Sequence, residues 1–148
     1  MDWKFLYLWN RINRHKILAM ITVYHNPKCR KSRAGLQYLQ DKGIECSIVE
    51  YLKKPFTREQ FKDLLMKLNL RPVDIVRTQE DEFKESLKGK TFTDEEWITI
   101  MLENPKLIQR PIVVKGYKAV IGQDMAEIDR LVGEMGWVVS FGSHSVVN

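Results

Sequence analysis

Apolar positions along the chain change their period several times, and the changes mark out its elements. Ile21, Thr22, Val23 and Tyr24 form a β-branched and aromatic run that stops at His25, Asn26 and Pro27, the pattern of a strand ending in a turn. From Ser32 to Lys42 the apolar residues Ala34, Leu36 and Leu39, with Tyr38 beside them, recur at helical spacing, and Gly43 stands where a helix C-cap belongs. Cys46 to Glu50 reads as a second strand. Together these pieces make a βαβ unit, so the two strands are expected to lie parallel, joined by a right-handed crossover.

The middle of the chain is helical. Thr57 and Gln60 form a capping box that opens a helix through Phe61, Leu64, Leu65 and Leu68. Pro72 starts a short helical turn that carries Val73, Ile75 and Val76 toward Arg77. A second box, Thr93 with Glu96, precedes Trp97, Ile98, Met101 and Leu102, and Asn104-Pro105 ends that helix. The β pattern then returns. Pro111 to Val114 and Lys118 to Ile121 flank a turn containing Gly116, which predicts a hairpin. Asp124 and Glu127 are expected to cap a last helix through Ile128, Leu131 and Val132, and the small, polar tail from Ser140 is expected to fray.

This order, β-α-β, helical insertion, β-β-α, is that of an α/β thioredoxin-like fold with a mixed sheet. It places one domain at residues 20–136, an extension at 1–19 and a tail at 137–148. By analogy with that fold, the Arg110-Pro111 bond is expected to be cis and to face the loop after the first strand.

The extension mixes Trp3, Phe5, Leu6, Tyr7, Leu8 and Trp9 with Asn10, Arg11, Asn13, Arg14, His15 and Lys16. That is too interrupted for a secretory signal or a membrane span. An interfacial helix is one alternative. The favoured reading is a segment outside the domain, because Met20 directly precedes the first strand.

Composition narrows the chemistry only a little. A chain of 148 residues can bury a core without covalent staples. The net charge of +5 suits an anionic ligand, and equally a weak nucleic-acid binder or a protein with no charged ligand. Two cysteines, Cys29 and Cys46, are too few for a disulfide scaffold and point to a cytoplasmic protein. His15, His25 and His144 do not stand at metal-ligand spacing with them, so no metal is expected.

Cys29 lies between a strand end and the first turn of a helix. There, free N–H groups and the helix dipole stabilise a thiolate, and Lys28, Arg30, Lys31 and Arg33 add positive charge. The same N–H groups can hold a tetrahedral oxyanion. Ser32 occupies the place of a second cysteine, so the loop cannot close its own disulfide and an outside thiol must complete any redox cycle. The plainer alternative is an inert cysteine in a basic loop. Cys46, in a strand, reads as a structural thiol.

The run His25-Asn26-Pro27-x-Cys29-x-x-Ser32-Arg33 is followed by Glu50-Tyr51-Leu52, by Arg77, and by Gln109-Arg110-Pro111 with Ile112, Val113 and Val114. In that order it resembles the glutaredoxin-coupled arsenate reductase family over roughly Ile21 to Arg130. The resemblance implies that Cys29 is the nucleophile, that His25 helps keep it ionised, and that Arg77 and Arg110 hold the anion. Asn26, Arg30, Ser32, Arg33 and Pro111 would complete the substrate site. It further implies reduction of arsenate to arsenite through a covalent thioester, with glutathione as co-substrate, glutaredoxin as partner and no bound cofactor. A monomer without nucleic-acid or membrane partners is also expected.

One position departs from the pattern. Family members that reduce arsenate bring a third arginine from the end of the hairpin's second strand, where this chain has Ile121, Gly122, Gln123 and Asp124. Two other readings therefore stay open. One is a glutathione-dependent thiol reductase of another substrate. The other is a relative of the family's RNA-polymerase-binding regulators, which often carry a Cys-x-x-Cys switch that Ser32 removes. Arg77 and Arg110 could also be surface arginines paired with the Glu80-Asp81-Glu82 run.

Overall fold

The computed structural model describes residues 2–133. The expected tail, with His144, lies outside them. Four strands, β1 (Ile21–His25), β2 (Cys46–Glu50), β3 (Ile112–Lys115) and β4 (Lys118–Ile121), form one sheet in the order β2-β1-β3-β4. β1 and β2 run parallel, with Val23 opposite Ile48, whereas β3 runs antiparallel to both β1 and β4. The fold is thioredoxin-like.

Alternate residues of the central strands face opposite layers, as a pleated sheet buried on both faces requires. Val23, Val113 and Val120 pack with Leu39 of helix α2 (Arg30–Asp41) and with Ile128 and Leu131 of α5 (Met125–Gly133). Tyr24, Ile112, Ala119 and Ile121 face the other way. There they meet Phe61, Leu64 and Leu65 of α3 (Arg58–Leu68) and Trp97, Ile98 and Met101 of α4 (Asp94–Glu103). The insertion thus supplies the larger of two cores rather than an appendage.

Both expected capping boxes are present. Thr57 Oγ1 accepts from Gln60 N–H at 3.1 Å and Thr93 Oγ1 from Glu96 N–H at 3.2 Å, with each partner side chain reaching back to the cap N–H. At α5, Asp124 Oδ1 accepts from Ala126 N–H, while Glu127 is turned to Arg130. Some details differ from the sequence pattern. α2 begins at Arg30, two residues earlier than its apolar spacing suggests, because Cys29 itself is the N-cap. Ala34 is exposed and Gly35 is buried in its place. Residues 83–87 wind into a π-helical turn that no periodicity marked.

Residues 3–19 form a helix, α1, and its described side chains from Trp3 to Ile12 are all exposed. No helix among the described residues is long and apolar enough to cross a membrane.

Candidate active site

Three segments far apart in sequence converge at the C-terminal end of β1. The first is the loop His25–Cys29 and the opening of α2. Cys29 has extended backbone angles (φ −95°, ψ 124°), and its carbonyl accepts from Arg33 N–H at 3.0 Å, so its thiol sits at the helix N-terminus. Asn26 is buried and shapes the loop twice: its carbonyl accepts from Cys29 N–H and its Oδ1 from Lys28 N–H, both at 3.0 Å. Arg33 reaches back to the Pro27 carbonyl at 2.9 Å, acting as a loop clamp with an exposed side chain. Arg30 is exposed at the first helical position.

Ser32 is fully buried. Its Oγ lies 2.7 Å from His25 Nδ1 and accepts from Asn26 N–H at 3.0 Å. His25 is therefore tied to Ser32, and its influence on the thiol runs through the loop's geometry. Burial lowers the imidazole's pKa below the ordinary value. Glu50 opposes that, Arg33 adds to it, and the bond to Ser32 opposes it. The net direction favours neutral histidine.

The second segment is the end of the insertion, and the third is the approach to β3. They are joined by a short antiparallel bridge between Val76 and Ile108, with Arg77 N–H donating to Leu107 O at 2.7 Å and Gln109 N–H to Ile75 O at 3.0 Å. This bridge brings Arg77 beside Arg110, 33 residues later in the chain. Both side chains are about nine-tenths buried. They are not surface arginines, yet they do pair with the acidic run: Glu80 Oε1 lies 2.9 Å from Arg77 Nε and 3.7 Å from Arg110 Nη2. Arg110 Nη1 also donates to Lys106 O at 2.7 Å. Arg77 Nη1 and Arg110 Nε remain buried without a protein partner. Such orphaned donors cost free energy unless a ligand meets them.

The Arg110-Pro111 bond is cis, as the fold analogy expects. Pro111 is buried and packs close to α2, where a Cβ on Gly35 would meet Pro111 Cγ at 2.7 Å and Gly122 O at 2.6 Å. Only glycine permits this approach. Gln123, at the position of the missing arginine, donates from Nε2 to Arg110 O at 2.9 Å. One N–H of its amide thereby holds the proline loop.

The balance at Cys29 follows from this assembly. Burial pushes the thiol's pKa up. The Ser32 N–H, the Arg110 guanidinium and the Lys31 N–H together outweigh it, so the net shift is downward. Cys46, half-buried on the edge strand, is pushed up by burial alone. A thiol of lowered pKa next to the Arg110 guanidinium, with Arg77 joined to Arg110 through Glu80, is an arrangement suited to nucleophilic attack on an oxyanion.

A family model described as the ArsC family matches residues 24–131. The chain belongs to the ArsC family. Over 115 residues it is 38% identical to the uncharacterized protein YfgD of Escherichia coli, covering 76% of this chain and 97% of that protein. An arsenate reductase of Neisseria meningitidis is 32% identical over 76% of this chain and 97% of its own length. Among solved structures, an arsenate reductase from Vibrio cholerae superimposes with a TM-score of 0.70 at 36% identity, over 76% of this chain and 98% of that one. The family match spans all three converging segments.

Sequence reasoning missed Glu80 as a member of this cluster, seeing it only as part of an acidic run. Tyr51, named in the sequence only within the Glu50-Tyr51-Leu52 run, was given no role there; its hydroxyl donates to Ile108 O at 3.2 Å and burial pushes its pKa up to about 12. The signal for Tyr51 was its place directly after β2. For Glu80 it was the spacing of three residues from Arg77.

Proposed function

We propose that this protein is a cytoplasmic oxidoreductase that reduces arsenate to arsenite, with Cys29 as nucleophile, glutathione as co-substrate and glutaredoxin as the regenerating partner. One observation carries the reading. The Cys29 thiol, its pKa lowered in part by Arg110, lies next to a buried pair of guanidiniums, Arg110 and Arg77, each keeping an N–H group without a protein partner. Membership of a family that includes arsenate reductases supports the choice of oxyanion.

In the proposed cycle, Cys29 thiolate attacks arsenic, a sulfur–arsenic bond forms, and one arsenate oxygen leaves as water after taking up protons. Glutathione thiolate then attacks the Cys29 sulfur. The sulfur–arsenic bond breaks with its electron pair left on arsenic, which is reduced from As(V) to As(III), while the two sulfurs are oxidised to a mixed disulfide. A glutaredoxin thiolate attacks the glutathione sulfur and releases Cys29. Ser32 cannot resolve the disulfide internally, which supports the need for outside thiols. A cavity of about 420 Å3 beside Arg110 carries Lys28, Lys53 and Lys106 on its walls together with Glu50 and Glu80, and its size and its lysines support entry of a small carboxylate-bearing thiol.

The test is a coupled assay with glutathione, glutaredoxin, glutathione reductase and NADPH. Arsenate-dependent NADPH oxidation that is lost in Cys29→Ser is the expected result. If Cys29 accepts glutathione but arsenate drives no turnover, the protein is a thiol reductase of another substrate. The commitment of Gln123 to Arg110 O is the observation that favours that second reading.

A further inference from the structure

Two guanidiniums buried side by side need a counter-charge when no substrate is bound, because unpaired buried charge is costly. Glu80 supplies it with a single oxygen, Oε1, shared between Arg77 Nε and Arg110 Nη2. A carboxylate in a site built for anions is an unusual choice, since it repels the ligand those arginines attract. The charges decide what it does. Arg77 and Arg110 contribute two positive charges, and Glu80 and the Cys29 thiolate contribute two negative ones. Gln123, in place of a further arginine, adds none. These four charges offset one another, and further attraction comes from Lys28, Lys53 and Lys106 around the same cavity, opposed by Glu50, and from the partial charge of the α2 N-terminus.

We propose that Glu80 is a positioning residue that also sets the valence of the anion: through one oxygen it holds Arg77 Nε and Arg110 Nη2 together, and it biases the site toward singly charged oxyanions over doubly charged ones. This rests on the reading of Cys29, Arg77 and Arg110 as an oxyanion site. It adds a selection that the arginines alone would not make. A doubly charged anion entering the site meets repulsion from both the thiolate and Glu80, whereas a singly charged one meets half that repulsion. Glu80 remains about one-quarter exposed, so screening softens the effect without removing it.

Two tetrahedral anions of one shape and different charge separate valence from fit: perchlorate, singly charged, and sulfate, doubly charged. Their protection of Cys29 against alkylation is measured on the full chain carrying Cys46→Ser, at constant ionic strength. Glu80→Gln keeps an oxygen for Arg77 Nε and removes the charge. It should strengthen sulfate protection on the order of tenfold and perchlorate protection far less, moving the sulfate-to-perchlorate ratio toward sulfate. Glu80→Asp keeps the charge and withdraws the contact by one methylene. It should weaken both anions several-fold and leave the ratio unchanged. Melting curves of both variants separate these effects from a loss of fold, which would not alter the ratio. An unchanged ratio in Glu80→Gln, or a changed ratio in Glu80→Asp, overturns the proposal. Absence of protection by either anion in the parent overturns it together with the oxyanion site. Normal protection without arsenate turnover overturns the assigned substrate alone and leaves the role of Glu80 standing.

Discussion

Ser32 Oγ lies 2.7 Å from His25 Nδ1, so this hydroxyl joins the helix that Cys29 caps to the end of β1. The same oxygen accepts from Asn26 N–H. Both residues it holds are buried. Ser32→Ala would leave the imidazole nitrogen and a backbone donor unsatisfied, at a cost of about 1–3 kcal/mol. Chemical denaturation should detect that loss. Cys29 alkylation should also slow at neutral pH, because the loop that presents the Ser32 and Lys31 N–H groups to sulfur is less ordered.

The two cysteines should titrate on opposite sides of the ordinary thiol value of 9.0. For Cys29, burial raises the pKa, but the Ser32 N–H, Arg110 and Lys31 N–H prevail and lower it; for Cys46 burial raises it. Alkylation rate against pH in Cys46→Ser should therefore rise at lower pH than in Cys29→Ser. The linkage has matching signs. The depressed pKa of Cys29 stabilises the fold fully above the unfolded value, and that contribution is lost as pH falls through the folded one. The raised pKa of Cys46 stabilises it below the unfolded value, and that is lost as pH rises through the folded one. A fast, low-pH reaction that survives Cys29→Ser would overturn the assignment of the nucleophile.

Gly35 is where α2 meets the proline loop. A Cβ there would stand 2.6 Å from Gly122 O and 2.7 Å from Pro111 Cγ, and neither is the far end of a flexible side chain. Gly35→Ala should cost about 1–3 kcal/mol through overpacking, despite alanine's better helix propensity. Because relief must come from moving Pro111 and with it Arg110, arsenate kcat/KM should fall further than the loss of folded protein explains. A variant as stable and as active as the parent would show that the two elements can separate freely.

Helix α1 shows Trp3, Phe5, Tyr7 and Trp9 more than half exposed. Deleting residues 1–19 should leave Cys29 reactivity unchanged. It should shift the melting temperature by no more than about 2 °C, the scale of exposed substitutions. Solubility should rise, since an exposed apolar cluster favours association. A large fall in melting temperature would mean that the helix packs on the domain.

Local signals were enough for most of the elements. Thr57 with Gln60 and Thr93 with Glu96 each place a helix start within a few residues, because the cap and its partner are bonded across one turn. The β-branched runs at Ile21, Ile112 and Lys118 mark strands for a similarly local reason: alternate side chains of each must be buried on opposite faces. Cys29, at the junction of strand and helix, could also be named from sequence, since the helix N-terminus that activates it is made by its immediate neighbours.

What the sequence could not supply was the meaning of contacts between distant residues. Arg77 and Arg110 each read as a surface arginine or a ligand group, and only the bridge between Val76 and Ile108 brings them side by side with Glu80 between them. Gln123 stands in the segment where the family brings a third arginine, and only the tertiary structure places its amide on the Arg110 carbonyl. The sequence by itself determined most of the elements, their order and Cys29 as the candidate nucleophile, because these depend on interactions within a turn or a strand. Tertiary structure alone decided which charges share the buried site and which donors stay unsatisfied, because burial and pairing are set by segments whose separation along the chain carries no periodic signal.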